Sequence, residues 1–177
     1  SINGCSTRCT APIFFKSTFL AVPSIYSLPP FCNRMKTMKE NHPPRWKALI
    51  ADDMLPMRNL LKMMLRKQGV QDFIMAEDGQ EAVNLYNKEL EKGGEPDLIL
   101  LDIDMPRMNG LEALQELRKL NTTIFITMVS ANAIQNTVTE AKKLLVNSFL
   151  VKPIQPRQIE ELVRNFEAYQ QSLYRGQ

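Results

Sequence analysis

A chain of 177 residues is expected to form one domain with an extension. Its charge is unevenly placed: residues 1–45 carry six basic residues against Glu40 alone, whereas the remainder holds 16 basic and 18 acidic residues, so the body lacks the basic face that general nucleic-acid binding requires. All three cysteines, Cys5, Cys9 and Cys32, lie in the first segment; the body therefore has no disulfide or thiolate metal site, which suits a reducing compartment.

Residues 1–45 differ in composition from everything after them and hold six of the eleven prolines. Their apolar stretch from Ala11 to Phe31 is interrupted by Lys16, Pro23, Pro29 and Pro30, which excludes a membrane-spanning helix there. Arg and Ser without acids is the pattern of an organelle transit peptide. The lack of an amphipathic period points instead to a disordered or non-native leader, with Met35 or Met38 as the start. His42, the only histidine, precedes Pro43 and Pro44, where a helical phosphoacceptor histidine cannot form.

From Trp46 the pattern becomes regular. Trp46 to Ala51 reads as a strand ending in Asp52-Asp53, and 56–68 as a helix with Met57, Leu60, Leu61, Met64 and Leu65 on one stripe, Pro56 in its first turn and Gly69 at its stop. The methionines follow the helical period and are expected to pack rather than ligate. A second short strand, 73–76, leads through Asp78-Gly79 to a helix from Gln80 to about Lys92, with Ala82, Val83, Leu85, Tyr86 and Leu90 inward. Leu98 to Leu101 are four consecutive aliphatic residues running into Asp102 and Asp104, and then into Pro106 and Gly110. Such a run suits a strand buried on both faces. A third helix is marked by Leu111, Leu114, Leu117 and Leu120, a fourth strand by 124–129, a further helix by the stretch to about Leu145, a fifth strand by 149–151 and a last helix by 158–173. Alternating strands and helices imply a parallel sheet with right-handed crossovers and helices on both faces. No Gly-x-Gly-x-x-Gly or Walker-type loop occurs to cradle a nucleotide.

Parallel strands end on one edge of their sheet, so residues just after each strand gather in space. Four of the five strand ends carry a polar group: Asp52-Asp53, Asp102, Ser130 and Lys152. Clustered carboxylates repel and raise one another's pKa unless a cation compensates. All-oxygen ligation with few protein ligands is the preference of Mg²⁺, and a carboxylate beside that ion can attack phosphorus to form an acyl phosphate. Lys152 offers a point charge to phosphoryl oxygens and Ser130 a hydroxyl donor. The chemistry implied is phosphoryl transfer onto Asp102. Taken singly, Ser130 also suits a helix cap and Phe149 a core position.

In these features residues 46–170 resemble a receiver domain of the CheY-like response regulators of two-component and phosphorelay signalling. The resemblance is carried by the acidic pair after the first strand, Asp102-x-x-Met105-Pro106-x-x-x-Gly110, Ser130-Ala131, and Phe149-x-x-Lys152-Pro153. It implies a flavodoxin-like (βα)₅ fold with strand order 2-1-3-4-5, Asp102 as phosphoacceptor, and Mg²⁺ bound by Asp53 directly, by Asp52 mainly through water and by the backbone carbonyl of Asp104. It further implies Ser130 as the switch hydroxyl, Phe149 as the switch aromatic and Lys152 as the phosphoryl-binding lysine. The implied partners are a histidine kinase or histidine phosphotransfer protein as donor, and a downstream protein on the face made by the fourth helix, fifth strand and fifth helix, with neither nucleic acid nor membrane bound directly. Such a protein phosphorylates and dephosphorylates itself rather than turning over a substrate, and is expected in the cytoplasm, a nucleus or an organelle being compatible.

Two positions depart from the family pattern. Leu145-Val146 stand where receivers usually place Gly-Ala before the fifth strand, so the preceding helix is expected to end differently, at Asn147, because leucine adopts a left-handed cap only at a steric cost. Asp104 adds a carboxylate beside the acceptor. The expected organisation is an extension over 1–45, a stand-alone receiver over 46–173, after whose Pro153 only one helix remains, and a tail over 174–177. Two other functions share parts of the pattern. Asp102-x-Asp104 after a hydrophobic strand also opens haloacid-dehalogenase-like phosphatases, with Asp102 as nucleophile, but there the acidic pair follows the lysine instead of preceding it. A receiver-like module acting without phosphorylation usually lacks an acid or the lysine, and none is missing here.

Overall fold

The computed structural model describes residues 45–131 and 144–175. In chain order the described elements are β1 (Trp46–Ala51), α1 (Leu55–Lys67), β2 (Val70–Ala76), α2 (Gly79–Glu91), β3 (Leu98–Asp102), α3 (Gly110–Leu120), β4 (Phe125–Ser130), β5 (Ser148–Val151) and α4 (Pro156–Arg175). The helix expected between β4 and β5 lies outside the described residues, so α4 is the fifth helix of the sequence reading. All four strand pairings are parallel, and the sheet order is β2-β1-β3-β4-β5. This is the flavodoxin-like order.

Alternation along each strand divides the apolar side chains between two cores. Ile99 and Leu101 of β3 join Leu49, Tyr86, Leu114, Leu117 and Met128 on the face covered by α2 and α3. Leu98 and Leu100 join Ile50, Leu61, Leu65, Phe125 and Phe166 under α1 and α4. All of β3 is buried, as its aliphatic run requires of a central strand covered on both sides. On the α1/α4 face, Trp46 meets Phe166 edge-on at 5.0 Å between ring centroids, and Phe125 meets Phe166 and Tyr169 at 5.5 Å each. Burying an aromatic side chain such as Phe166 stabilises the fold by about 2–3 kcal/mol.

The helical stripes behave as their period predicts. Leu61 and Leu65 are buried, and Met57 and Met64 pack beside them. Two helices start with side-chain caps, Asp78 on α2 and Asn109 on α3, the latter in a full capping box with Glu112. The backbone before β5 departs from expectation. Leu145 itself takes the left-handed conformation, at φ 58°; the end of the preceding helix lies outside the described residues. Asn147 Oδ1 accepts the Ile126 N–H at 2.8 Å and Arg118 Nη2 at 2.9 Å, so its amide is committed to the entry of β5. Arg118 Nη2 also donates to the Leu145 carbonyl at 2.8 Å, holding the turn that leucine makes.

Candidate functional site

Strand register brings the acids together. Ala51 at the end of β1 pairs with Leu101 of β3, so Asp52 and Asp102 emerge side by side, and Asp102 in turn pairs with Val129, one residue before Ser130. One carboxylate oxygen from each of Asp52, Asp53 and Asp102 lies within 4.8 Å of the others. Lys152, just past β5, reaches across the sheet edge and donates to Asp102 Oδ1 at 2.7 Å and Asp52 Oδ2 at 2.8 Å. The other Asp52 oxygen accepts the Met54 N–H at 2.8 Å. Asp52 is thus fully buried and has both oxygens engaged, whereas Asp53 is exposed.

The β3–α3 connection is packed against Asp102. Gly110 opens α3 beneath the Asp102 carbonyl, and a Cβ at that position would overlap the carbonyl oxygen. Glycine at the end of the Asp-x-x-Met-Pro-x-x-x-Gly motif is therefore required by contact. A cis peptide bond joins Lys152 to Pro153.

Two of the three clustered carboxylates, those of Asp52 and Asp102, share one ammonium. Burial raises the pKa of Asp102; the hydrogen bond and charge of Lys152 oppose it, and the charges of Asp52 and Asp104 add to the rise. Burial alone would lower Lys152, but its bonds to Asp102 and Asp52 outweigh that and leave it raised, hence firmly charged. Lys152 thus only partly offsets the burial of Asp102 and the charge of its acidic neighbours. An added cation would favour the ionised form of Asp102. The donor set is all oxygen and the Asp53 carboxylate is accessible, which fits a hard divalent ion such as Mg²⁺.

The remaining expected residues lie around this centre. Ser130 is buried at the end of β4, 4% exposed, and its carbonyl accepts the Lys152 N–H at 2.8 Å. Phe149 is half-buried beside the α2/α3 core and pairs with Met128, two residues back from the edge. Asp104 is exposed and acts on Asp102 through its charge. Sequence reasoning missed Arg58, whose Nη1 donates to the Asp52 carbonyl at 2.5 Å and the Asp53 carbonyl at 3.3 Å, pinning the acidic turn. It also missed Arg107, which is bonded to Glu77 and Asp78. A lone arginine on a helix or in a loop carries no pattern that would have marked either.

A doubly wound parallel sheet with acids and a lysine converging at its carboxyl edge is an α/β fold with one polar centre where such sheets place their ligands. The family model of the response regulator receiver domain matches residues 48–164, and the chain belongs to that family. It is 40% identical over 115 residues to the chemotaxis protein CheY of Thermotoga maritima, a match covering 65% of this chain and 92% of that protein. It is 31% identical over 120 residues to the sporulation initiation phosphotransferase F of Bacillus subtilis, covering 68% and 92%. Among solved structures it superposes on the CheX–CheY–BeF₃–Mg²⁺ complex of Borrelia burgdorferi with a TM-score of 0.62 at 26% identity, covering 67% of this chain and 86% of that one. The protein is a response regulator of signal transduction, and the phosphatase alternative falls with this assignment. No helix among the described residues is long and apolar enough to cross a membrane.

Proposed function

We propose that this protein is a phosphorelay receiver in which Asp102 accepts a phosphoryl group from a phosphohistidine on a partner kinase or phosphotransfer protein. The observation that carries the reading is the pair of hydrogen-bonded ion pairs that Lys152 makes with Asp102 and Asp52 beside an exposed Asp53, which leaves a negative centre suited to Mg²⁺. Asp53 would hold the ion directly, Asp102 and the Asp104 carbonyl would complete the protein ligands, and Asp52, its oxygens already engaged, would act through water. Mg²⁺, when bound, supplies charge compensation for the phosphoryl oxygens.

Asp102 Oδ attacks the phosphorus as the phosphorus–nitrogen bond to the donor imidazole breaks, and the imidazole leaves with the electron pair. Lys152 neutralises charge on the phosphoryl oxygens in place of its bond to Asp102, and Ser130 donates its hydroxyl to one of them. Water later attacks the acyl phosphate, returning the Asp102 carboxylate and inorganic phosphate. Withdrawal of Ser130 and Phe149 toward the site would bias the face that includes β5 and α4 toward partner binding. The receiver unit is residues 46–173, with 1–45 an extension and 174–177 a tail.

Incubation with acetyl phosphate and Mg²⁺ followed by intact mass tests the reading. One phosphoryl adduct, cleaved by hydroxylamine and absent in Asp102→Asn, is expected. Unmodified protein would instead favour a receiver-like binding module that acts without phosphorylation.

A further inference from the structure

The turn after Asp102 contains a backbone conformation that its sequence does not favour. Arg107 lies at φ 63°, a left-handed conformation in which an L side chain with a Cβ is strained and which glycine or asparagine takes more readily. Nothing in the apolar packing calls for arginine here, since its side chain is 60% exposed. What holds it is polar. Nη2 donates to Glu77 Oε1 at 2.8 Å and to Asp78 Oδ2. Asp78 is 1% exposed and its other oxygen caps α2 by accepting the Glu81 N–H at 2.8 Å, so it is a fixed anchor. The same stretch is joined to α2 by a backbone bond, Gly79 N–H to the Met108 carbonyl at 3.1 Å. A Cβ on Gly79 would come within 2.5 Å of that carbonyl, so the turn and the start of α2 are in direct contact.

We infer that Arg107 and Asp78 are a positioning latch, which holds the turn between Asp102 and Gly110 in its left-handed form and so keeps the Asp104 backbone in place for the metal. This rests on the reading of the acid cluster as a Mg²⁺ site. The bonds of Arg107 go to Glu77 and Asp78, outside the acid cluster. Its effect is on the fraction of molecules whose turn is competent, and the apparent dissociation constant rises as that fraction falls. The ion pair also accounts for Glu77, whose carboxyl is held below the usual range by its bond to Arg107. Asp78 is unsuitable for the test because it also caps α2; Arg107 is suitable because it is exposed.

The experiment is a Mg²⁺ titration of the full chain followed by backbone amide shifts, with melting temperatures recorded alongside. Arg107→Ala keeps the Cβ and loses the latch, so its Mg²⁺ affinity should fall about tenfold. Arg107→Gly loses the latch but needs no help to be left-handed, so it should recover most of that loss although it, too, lacks the ion pair. Wild-type affinity in Arg107→Ala would overturn the latch, as would Arg107→Gly binding no better than Arg107→Ala. Failure of the underlying site is a separate outcome: wild type would then bind Mg²⁺ no better than Asp53→Asn.

Discussion

Asp104 stands two residues beyond Asp102, exposed, and its charge joins that of Asp52 in opposing ionisation of Asp102. Replacing it with asparagine keeps the backbone carbonyl and removes one negative charge near the proposed ion. Mg²⁺ affinity should then fall about two- to fivefold, as expected for a partly screened charge at the rim of a site, and the aspartyl phosphate should hydrolyse at a changed rate. Equal affinities and equal hydrolysis rates in wild type and Asp104→Asn would remove Asp104 from the account. Leu145 presents a second residue-scale question. It is 63% exposed and left-handed, a conformation costing an ordinary residue about 1–2 kcal/mol. Leu145→Gly removes that cost but gains unfolded-state entropy, so urea unfolding should show a net stabilisation of about 0.5–1 kcal/mol; a destabilised variant would mean that the leucine side chain contributes more than its exposure suggests. The sequence exposed the misfit at Leu145 but not its resolution, because whether a leucine tolerates strain depends on what holds its carbonyl, here Arg118 from α3.

Among the described residues, two buried side-chain atoms lack a hydrogen-bond partner, Arg118 Nε on α3 and the Thr127 hydroxyl on β4. Thr127 is completely buried. Thr127→Val replaces the hydroxyl with a methyl of similar size and should stabilise the fold by about 1 kcal/mol, the typical penalty of an unpaired buried hydroxyl; a lower denaturation midpoint would show that the hydroxyl is bonded after all. Most elements could be read from periodicity alone: the aliphatic run of β3 and the stripes of α1 and α2 each matched the buried residues observed. Where the reading fell short, a local cause is visible. It began the second strand at Phe73, whereas β2 starts at Val70, because Gln71 and Asp72 on this edge strand interrupt the apolar signal. It began the last helix two residues late, since α4 starts at Pro156. The acids and the lysine of the site were legible because parallel strands must end together. Arg58 and Arg107 were not, because Arg58 bonds to backbone carbonyls, which leave no mark in the sequence, and Arg107 to two acids 30 and 29 residues away.

At the scale of the whole molecule, the sheet has a second polar centre at the edge opposite the acids. Lys47 Nζ donates to Glu89 Oε2 at 2.9 Å and to the Gly94 carbonyl at 3.0 Å, tying β1 to the end of α2. Bonds to Lys92 and Lys47 hold the Glu89 carboxyl down at about 2. A depressed acid contributes stability that is fully present above its unfolded pKa, near 4.5, and is lost as pH falls toward 2. Wild type should therefore lose about 1 kcal/mol more than Glu89→Gln between pH 5 and pH 2.5, a figure discounted for solvent screening; parallel urea-unfolding profiles would contradict it. On the proposed function, phosphorylation would act by shifting a population between two conformations. Moving a two-state equilibrium from 1:99 to 99:1 requires about 5.5 kcal/mol, which is demanding for one phosphoryl group, so the active form is expected to be partly populated before phosphorylation. The claim on which everything else depends is that Asp102, rather than its acidic neighbours, forms the acyl phosphate. Borohydride reduction of the phosphorylated protein, followed by tandem mass spectrometry of the peptides that contain Asp52-Asp53 and Asp102 to Asp104, is the sharpest test: homoserine at position 102 alone is expected, and reduction at Asp53 or Asp104 with Asp102 intact would rule out Asp102 as the acceptor.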